Sequence, residues 1–362
     1  MYAPQAAALA LARIAKMTAL QSFYLARFFN GFAALAVGFF AIHIATRGRF
    51  IIFTLLTMPT SFYLMGSLSQ DALLLAGSAL FWSIVSNNLS TGRIPSPSII
   101  LGLAALLVVL SCGRLPYIAL AVVFFLKPFC DMRWRGRVFQ RWPGLAATAL
   151  AITLALVWVA VIRTVYINWA PAISAQSQIT FLLSHIVLIP LIAIHSFQGP
   201  NFFFAVRGIF GSIGLLNSKL PLLFYPIALI GTLAAAALDM SESSLLAPLE
   251  RMAVMVGLLL GVGAIYFALY LTFAPVGNLA VLGMQGRYFI PFIMGLVFVL
   301  PTATLRVRKF IRPLVLLLPL IAIMGFGVSM EKVKTRFYPD TNCSLPPLTS
   351  HGVGTGEECA SR

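Results

Sequence analysis

The sequence predicts an all-α membrane protein, a polytopic transmembrane bundle of about ten helices, and three observations carry that prediction. Hydrophobic residues make up 60% of the 362 positions. Charged residues make up only 9%, against about 25% in a soluble domain. The apolar residues gather into runs that approach the ~20 residues a helix needs to cross a bilayer.

Read as helices, the runs place spans near Phe23 to Ala45, Phe50 to Gly66, Ala72 to Ser86, Ser98 to Cys112, Pro116 to Leu126 and Leu145 to Ile167. Four more follow near Pro221 to Leu238, Met252 to Phe273, Phe289 to Ala303 and Pro313 to Val328. The transmembrane domain thus occupies residues 1–328, with a polar tail, 329–362, that reads as disordered because it is rich in Pro, Gly, Ser and Thr. Ahead of the first span, Ala6 to Leu20 carries Arg13 and Lys16 and lacks a small-residue cleavage site. It reads as an interfacial helix, not as a signal peptide.

A net charge of +16 invites a nucleic-acid reading, which the placement of the charges excludes. The basic residues lie in short clusters between apolar runs, as the positive-inside rule expects. Setting Arg47 and Arg49 in the cytoplasm puts Arg93, Lys127, Arg133, Arg135, Arg137, Arg141, Arg251, Arg306, Arg308, Lys309 and Arg312 on the same side.

Two segments are short for spans, Ser98 to Cys112 and Pro116 to Leu126, and Gly113-Arg114-Leu115-Pro116 joins them. They read as a hairpin of tilted or partly submerged helices beside protein or a wet cavity, where irregular backbone is tolerated. With the cytoplasmic clusters removed, Arg27, Asp71, Arg114, Arg163, Arg207, Lys219 and Arg287 fall at or near the outer face. Arginine and lysine grouped with one carboxylate suit a phosphate or pyrophosphate, and the alternative is that each cation snorkels to an outer headgroup. Arg287, in Gln285-Gly286-Arg287-Tyr288-Phe289-Ile290-Pro291, and Arg207, between Phe202 and Gly211, have glycine neighbours that allow close backbone approach.

The longest loop, about 168–220, is outside in this topology. Its stretch Ile179 to His195 is apolar and broken by Pro190, which predicts helices lying in the interface or capping the bundle. His185 and His195 lack the spacing and companions of a metal site, so no metal is assigned to them. Asp71 stands at a helix start, and three readings are open: helix initiation with Ser69 as the cap, a general base for an acceptor hydroxyl, or a ligand for a divalent cation beside a phosphate. Cys112 and Cys130 fall at opposite membrane edges, while Cys343 and Cys359 share the outer tail, where a disulfide is permitted. Walker loops, dinucleotide fingerprints, zinc-protease motifs and nucleophile elbows are lacking, and no cofactor is predicted.

Five segments occur in a fixed order: Tyr24-Leu25-Ala26-Arg27-Phe28-Phe29-Asn30, Ser69-Gln70-Asp71-Ala72-Leu73, Phe181-Leu182-Leu183-Ser184-His185, Arg207-Gly208-Ile209-Phe210-Gly211 and the Gln285 to Pro291 motif. Together they resemble the bacterial membrane-protein family called domain of unknown function 2142. The resemblance implies a GT-C-like glycosyltransferase fold in the bacterial inner membrane, using a polyprenyl-phosphate-linked sugar at the outer face. It implies that Arg287, Arg207, Arg114 or Lys219 holds the donor phosphate, that Gln285 and Tyr288 hydrogen-bond phosphate or sugar, and that His185 joins the substrate-binding set. The family pattern opens with a span and an outer loop bearing Asp-Glu and a nearby His, ahead of a segment like Tyr2-Ala3-Pro4. This sequence opens at that segment, so Asp71 is the expected substitute for the catalytic carboxylate. A lipid-linked sugar transferase of the cell envelope is one reading, and a non-catalytic transporter or assembly partner that binds lipid phosphate is the other.

Overall fold

A computed structural model describes residues 1–134, 137–139, 142–163, 174–213, 218–240, 245–300, 309–310 and 312–337. Its helices are α1 (Ala3–Ile14), α2 (Ala19–Ile44), α3 (Arg49–Leu56), α4 (Pro59–Met65), α5 (Asp71–Thr91), α6 (Pro97–Gly113), α7 (Lys127–Cys130), α8 (Trp142–Arg163) and α9 (Ala175–Ser184). They continue with α10 (Leu188–Phe197), α11 (Gly199–Phe210), α12 (Phe224–Leu238), α13 (Pro248–Phe273), α14 (Ile290–Gly295) and α15 (Leu317–Phe337). Two short antiparallel hairpins, Met132–Trp134 with Arg137–Phe139 and Ser212–Ile213 with Ser218–Lys219, are the described strands. The chain is all-α.

Five described helices are long and apolar enough to cross a membrane alone, and six spans result if the bent pair α9 and α10 counts as one. Four further apolar helices are shorter, at Pro97–Gly113, Leu115–Phe125, Phe224–Leu238 and Gly286–Phe298. The five long ones divide sharply by burial. In α5, 78% of the apolar window is inside the protein, while the other four range from 11% to 33%. So α5 is the central post, and α2, α8, α13 and α15 present most of their apolar surface outward. Small residues make that central place possible: Ala72, Ala76, Gly77, Ser78, Ala79 and Ser83 are all buried and let neighbours approach closely.

Local chemistry explains the element ends. Thr18 Oγ1 accepts the Gln21 N–H while Gln21 Oε1 accepts the Thr18 N–H, a capping box that starts α2. The run from Phe50 to Gly66 is two helices, not one span. Met58 precedes Pro59 and is extended, at φ −69° and ψ 149°, because the proline ring disfavours helical geometry in the residue before it. The segment after α6 is also not an α-helix: Leu115–Phe125 is a 3-10 helix of 11 residues with Pro116 in its first turn. At about 2.0 Å per residue this reaches roughly 22 Å, against about 16 Å for the same residues as α-helix. The tighter winding therefore lengthens a run that is too short by residue count.

The apolar run that begins at Phe289 divides too. A 3-10 turn, Gly286–Phe289, leads into α14 and then the 3-10 turn Leu296–Phe298. The α15 helix continues to Phe337, past the expected end of the transmembrane domain. Residues 338–362, with Cys343 and Cys359, lie outside the described residues.

The core is continuous from α2 through α5, α6 and the 3-10 segment to α13 and α14, with Trp82, Tyr117, Phe81, Phe124 and Phe129 as its largest fully buried side chains. A second cluster joins Met58, Phe210, Phe224, Tyr225 and Ile321, and it seats α11 and α12. The loop between α9 and α12 is built into the molecule by helices of its own. The α9 and α10 axes bend by 118° about the turn at His185 to Val187, and the turn leaves Leu183, Ile186 and Val187 exposed.

Candidate functional site

At one end of α5, three charged groups from separate parts of the chain meet. Asp71 is the first residue of that helix and is buried, with its side chain 6% exposed. Its Oδ1 accepts hydrogen bonds from Arg114 Nη2 at 2.7 Å and Arg114 Nε at 3.3 Å. Its Oδ2 lies 3.0 Å from Arg287 Nε as an ion pair without hydrogen-bond alignment. The two arginine side chains stay 24% and 21% exposed, while the carboxylate between them is nearly sealed. Two cations against one anion leave the group with a net charge of about +1.

Helix ends put these side chains in place. Arg114 is the first residue beyond α6, held by its N–H to the Leu110 carbonyl at 2.9 Å. Its guanidinium lies 3.8 Å from the centroid of the Tyr288 ring, a cation–π stack that fixes the plane of the fork. Burial disfavours charge on Arg114, but Asp71, with Tyr117 and Tyr288, more than offsets it, and the net effect raises its pKa. Asp71 does not cap its own helix. Ser69 Oγ takes the Asp71 N–H at 3.1 Å, which leaves the carboxylate to the arginines. Ser69 belongs to a buried polar chain: Gln5 Nε2 donates to Asn30 Oδ1 at 2.8 Å, and Asn30 Nδ2 donates to the Ser67 and Ser69 carbonyls at 2.7 and 3.2 Å. An uncharged amide buried in a span is expensive unless satisfied, and here it ties α1 and α2 to the loop before Asp71.

The Arg287 segment is clamped from three sides. Tyr117 Oη donates to the Tyr288 carbonyl at 3.2 Å, and Trp82 Nε1 donates to the Pro291 carbonyl at 2.7 Å. On the third side Gly286 lies against the backbone of α11, where an added Cβ would collide with the Ala205 carbonyl and the Ile209 nitrogen. A Cβ at Gly208 would in turn stand 2.5 Å from the Gly286 nitrogen. The two glycines are mutually required, because only residues without Cβ let the two backbones touch. Thr60 Oγ1 donates to the Gly208 carbonyl at 3.1 Å and accepts the Ser212 N–H at 3.0 Å, so α4 holds the far side of the contact.

Arg207 comes with this contact, one residue from Gly208. Its guanidinium lies 5.7 Å from the Tyr225 ring centroid. Tyr225 Oη donates to the Gly211 carbonyl at 3.0 Å, and the Arg207 charge faces an aromatic surface beside the Asp71 group instead of the carboxylate. Gln285 is half-buried, and its Oε1 is sealed without a partner among the described residues. Lys219 pairs in register with Ser212 through the β hairpin, but its side chain, like that of Arg163, lies outside the described residues. His185 is exposed at the α9–α10 turn, where Nδ1 lies 2.9 Å from Ser184 Oγ and 3.1 Å from the Phe181 carbonyl. No hydrogen bond or ion pair joins it to Asp71, Arg114 or Arg287 among the described residues. Arg27 is also engaged elsewhere, donating from Nε to the Gly66 carbonyl at 2.6 Å and lying near the Phe23 and Tyr24 rings.

Of the outer charges in the sequence, three therefore converge directly, one adjoins them and one serves as a staple. Tyr117, Ser69, Asn30 and Gly208 join the site without having been singled out for it. Asn30 carried a signal in the sequence, as a lone amide inside an apolar run; Tyr117 carried none. Among the described residues no three His, Cys, Asp or Glu side chains gather to hold a metal ion.

These observations define a multi-pass helical membrane protein with a buried Arg–Asp–Arg group at one end of its central helix. The chain belongs to the DUF2142 family, described as predicted membrane protein, whose model matches residues 1–296. The match contains every residue of the Asp71 group. No curated protein and no solved structure matches the chain.

Proposed function

We propose that the chain binds the phosphate of a polyprenyl-phosphate-linked sugar at the outer face of the bacterial inner membrane, and that it is a GT-C-like glycosyltransferase of the cell envelope built from about ten membrane-crossing segments. The observation that carries this reading is the pair of partly exposed arginines on one buried carboxylate. Phosphate is the anion that arginine forks fit, and a second ring of polar groups, Tyr288 and Gln285, stands beside them.

The charge count suits the reaction. A sugar phosphodiester brings one negative charge. The acceptor hydroxyl oxygen bonds to the anomeric carbon, the bond from that carbon to the phosphate oxygen breaks, and the electron pair stays on the phosphate as its second charge. The acceptor proton goes to Asp71. Two arginines thus face a carboxylate and a monoanion at the start, and a neutral acid and a dianion at the end. Arg114 and Arg287 stabilise the charge that develops on the leaving phosphate, and fixed donors of that kind contribute most where water is excluded. In this reading Arg207 adds to the positive charge near the group, and Lys219 and His185 remain the further substrate-binding residues that the family resemblance implies. The arginines supply the positive charge that a divalent cation would otherwise bring.

A second reading keeps the binding and drops the transfer: a non-catalytic transporter or assembly partner holding lipid phosphate. One observation favours it, namely that both oxygens of Asp71 are engaged by arginines. The purified protein in lipid nanodiscs, given a polyprenyl-phosphate sugar and a candidate acceptor, separates the readings. Release of polyprenyl phosphate that Arg287→Ala abolishes supports transfer. Binding without release supports the second reading, and neither binding nor release removes both.

A further inference from the structure

The Asp71 group is asymmetric. Arg114 gives Oδ1 two hydrogen bonds, at 2.7 and 3.3 Å, and is stacked on Tyr288 at 3.8 Å. Arg287 reaches Oδ2 at 3.0 Å, but its Nε–H does not point along the contact, and that nitrogen is sealed from water with no hydrogen bond. Its ring contact with Tyr288 is longer, at 5.6 Å. Arg114 is thus held by geometry, while Arg287 is held by charge alone. A guanidinium whose buried nitrogen has no hydrogen bond among the described residues is poised to gain from a better acceptor, since a charge-assisted bond is stronger than an unaligned contact.

We propose that Asp71 is a built-in stand-in for the ligand's phosphate, and that a phosphate with two negative charges exchanges with it on Arg287 while Arg114 stays. The inference rests on the proposed phosphate-binding function and specifies its selectivity. Any anion that enters must compete with a carboxylate already in place, so the singly charged donor phosphodiester gains little by the exchange until its bond to the sugar breaks and the second charge develops. A phosphate monoester at pH 8 carries close to two charges, its second pKa being about 6, and it gains more. The exchange also frees Oδ2 of Asp71 at the moment the second charge is present, which is when a transferase needs it.

The test uses the full chain in nanodiscs of uncharged lipid at pH 8, with farnesyl phosphate as the dianionic probe and its methyl diester as the monoanionic one. Wild type should bind the monoester at least tenfold tighter than the diester. Asp71→Asn should tighten binding of both probes about fivefold or more and narrow the difference between them, because the competitor is gone. Unchanged or weaker binding by a folded Asp71→Asn variant overturns the exchange while leaving phosphate binding intact. If neither protein binds either probe, the proposed function itself fails. A reading on wild type alone covers a variant that does not fold. With isotope-labelled aspartate, the infrared carboxylate stretch should shift when farnesyl phosphate binds and stay still with the diester, and a band unmoved by bound monoester overturns the proposal.

Discussion

Arg114 and Arg287 are both arginines on one carboxylate, yet their environments assign them different work, and substitution should separate them. Arg114→Gln removes two hydrogen bonds and a ring stack from a buried carboxylate, which costs roughly 3 kcal/mol when a buried partner is lost. A thermal melt in detergent should show the loss before any ligand is added. Arg287→Gln removes one unaligned contact, so the melt should move much less while affinity for farnesyl phosphate falls at least tenfold. If Arg287→Gln melts earlier than Arg114→Gln, the division of roles is wrong. The residue types were legible in the sequence, because an arginine between Gly286 and Tyr288 at the edge of an apolar run needs an anion or water. Their pairing was not, since Asp71 and Arg114 lie 43 positions apart and no periodicity links a helix start to a helix end. Helix initiation with Ser69 as the cap, the plainer reading of Asp71, holds for the backbone, since Ser69 Oγ accepts the Asp71 N–H; what the sequence did not display is that the carboxylate itself goes to two arginines.

Elements set the position of Arg287 through contacts far from it. The loop between α13 and the Gly286 turn is strapped to the α9–α10 hairpin, where Gln178 Oε1 accepts the Gly277 N–H at 3.2 Å and Ser196 Oγ accepts the Val281 N–H at 2.9 Å. Phe197 stacks on Tyr266 at 4.3 Å, and Tyr266 in turn meets Phe289 at 5.8 Å, two residues beyond Arg287. Ser196→Ala leaves the Val281 N–H buried and unmet, which costs about 1–3 kcal/mol. The loss should appear as faster amide exchange over residues 274–285, with little change in α5 or α6. Protection lost equally in α5 would show the hairpin to be part of the general core instead of a strap. The glycine contact is stricter. Gly286→Ala drives a Cβ into the α11 backbone, and because two helices must part to make room, the expected outcome is loss of the folded protein on size exclusion. Sequence reading found the hairpin as an apolar stretch but put its break at Pro190, which lies in the first turn of α10, whereas the chain turns at His185 to Val187; it also took Phe50 to Gly66 as a single helix. Uniform apolarity hides a break; the cue was Pro59, which forces Met58 out of helical geometry.

Across the whole molecule the two ends of α5 are chemically distinct. Fifteen residues below Asp71, about 22 Å along the helix, Ser86 Oγ accepts the Arg47 N–H at 2.6 Å. There a second acidic residue is buried: Asp239, one position beyond α12, accepts the N–H groups of Ile51 at 2.8 Å and Phe50 at 3.3 Å at the start of α3. The proposed orientation, which follows the positive-inside rule, has the Asp71 end outside. With native cysteines replaced, a cysteine at Ser184 should react with impermeant maleimide from outside intact cells and one at Arg93 should not; the reverse pattern inverts the proposed orientation. The Asp239 end also gives the protein a pH dependence. Burial pushes the Asp239 carboxyl up from 3.8 to about 6, against the opposing pull of the Ile51, Phe50 and Gly48 N–H groups and of Arg47. Burial lowers the Arg47 pKa, Asp239 opposes that, and Arg251 on the same cluster lowers it further. Between pH 3.8 and about 6 the folded chain therefore keeps a proton that the unfolded chain has released. Linkage makes this group's contribution greatest below that window and diminishing as pH rises through it. Melting temperature in detergent should accordingly fall from pH 4 to pH 6.5 by an amount that Asp239→Asn removes, since an amide cannot titrate. A wild-type melt that instead rises across this window, with Asp239→Asn following it, would mean that Asp239 is ionised against Arg47 throughout and that the buried acid is held by its partner, as Asp71 is at the other end.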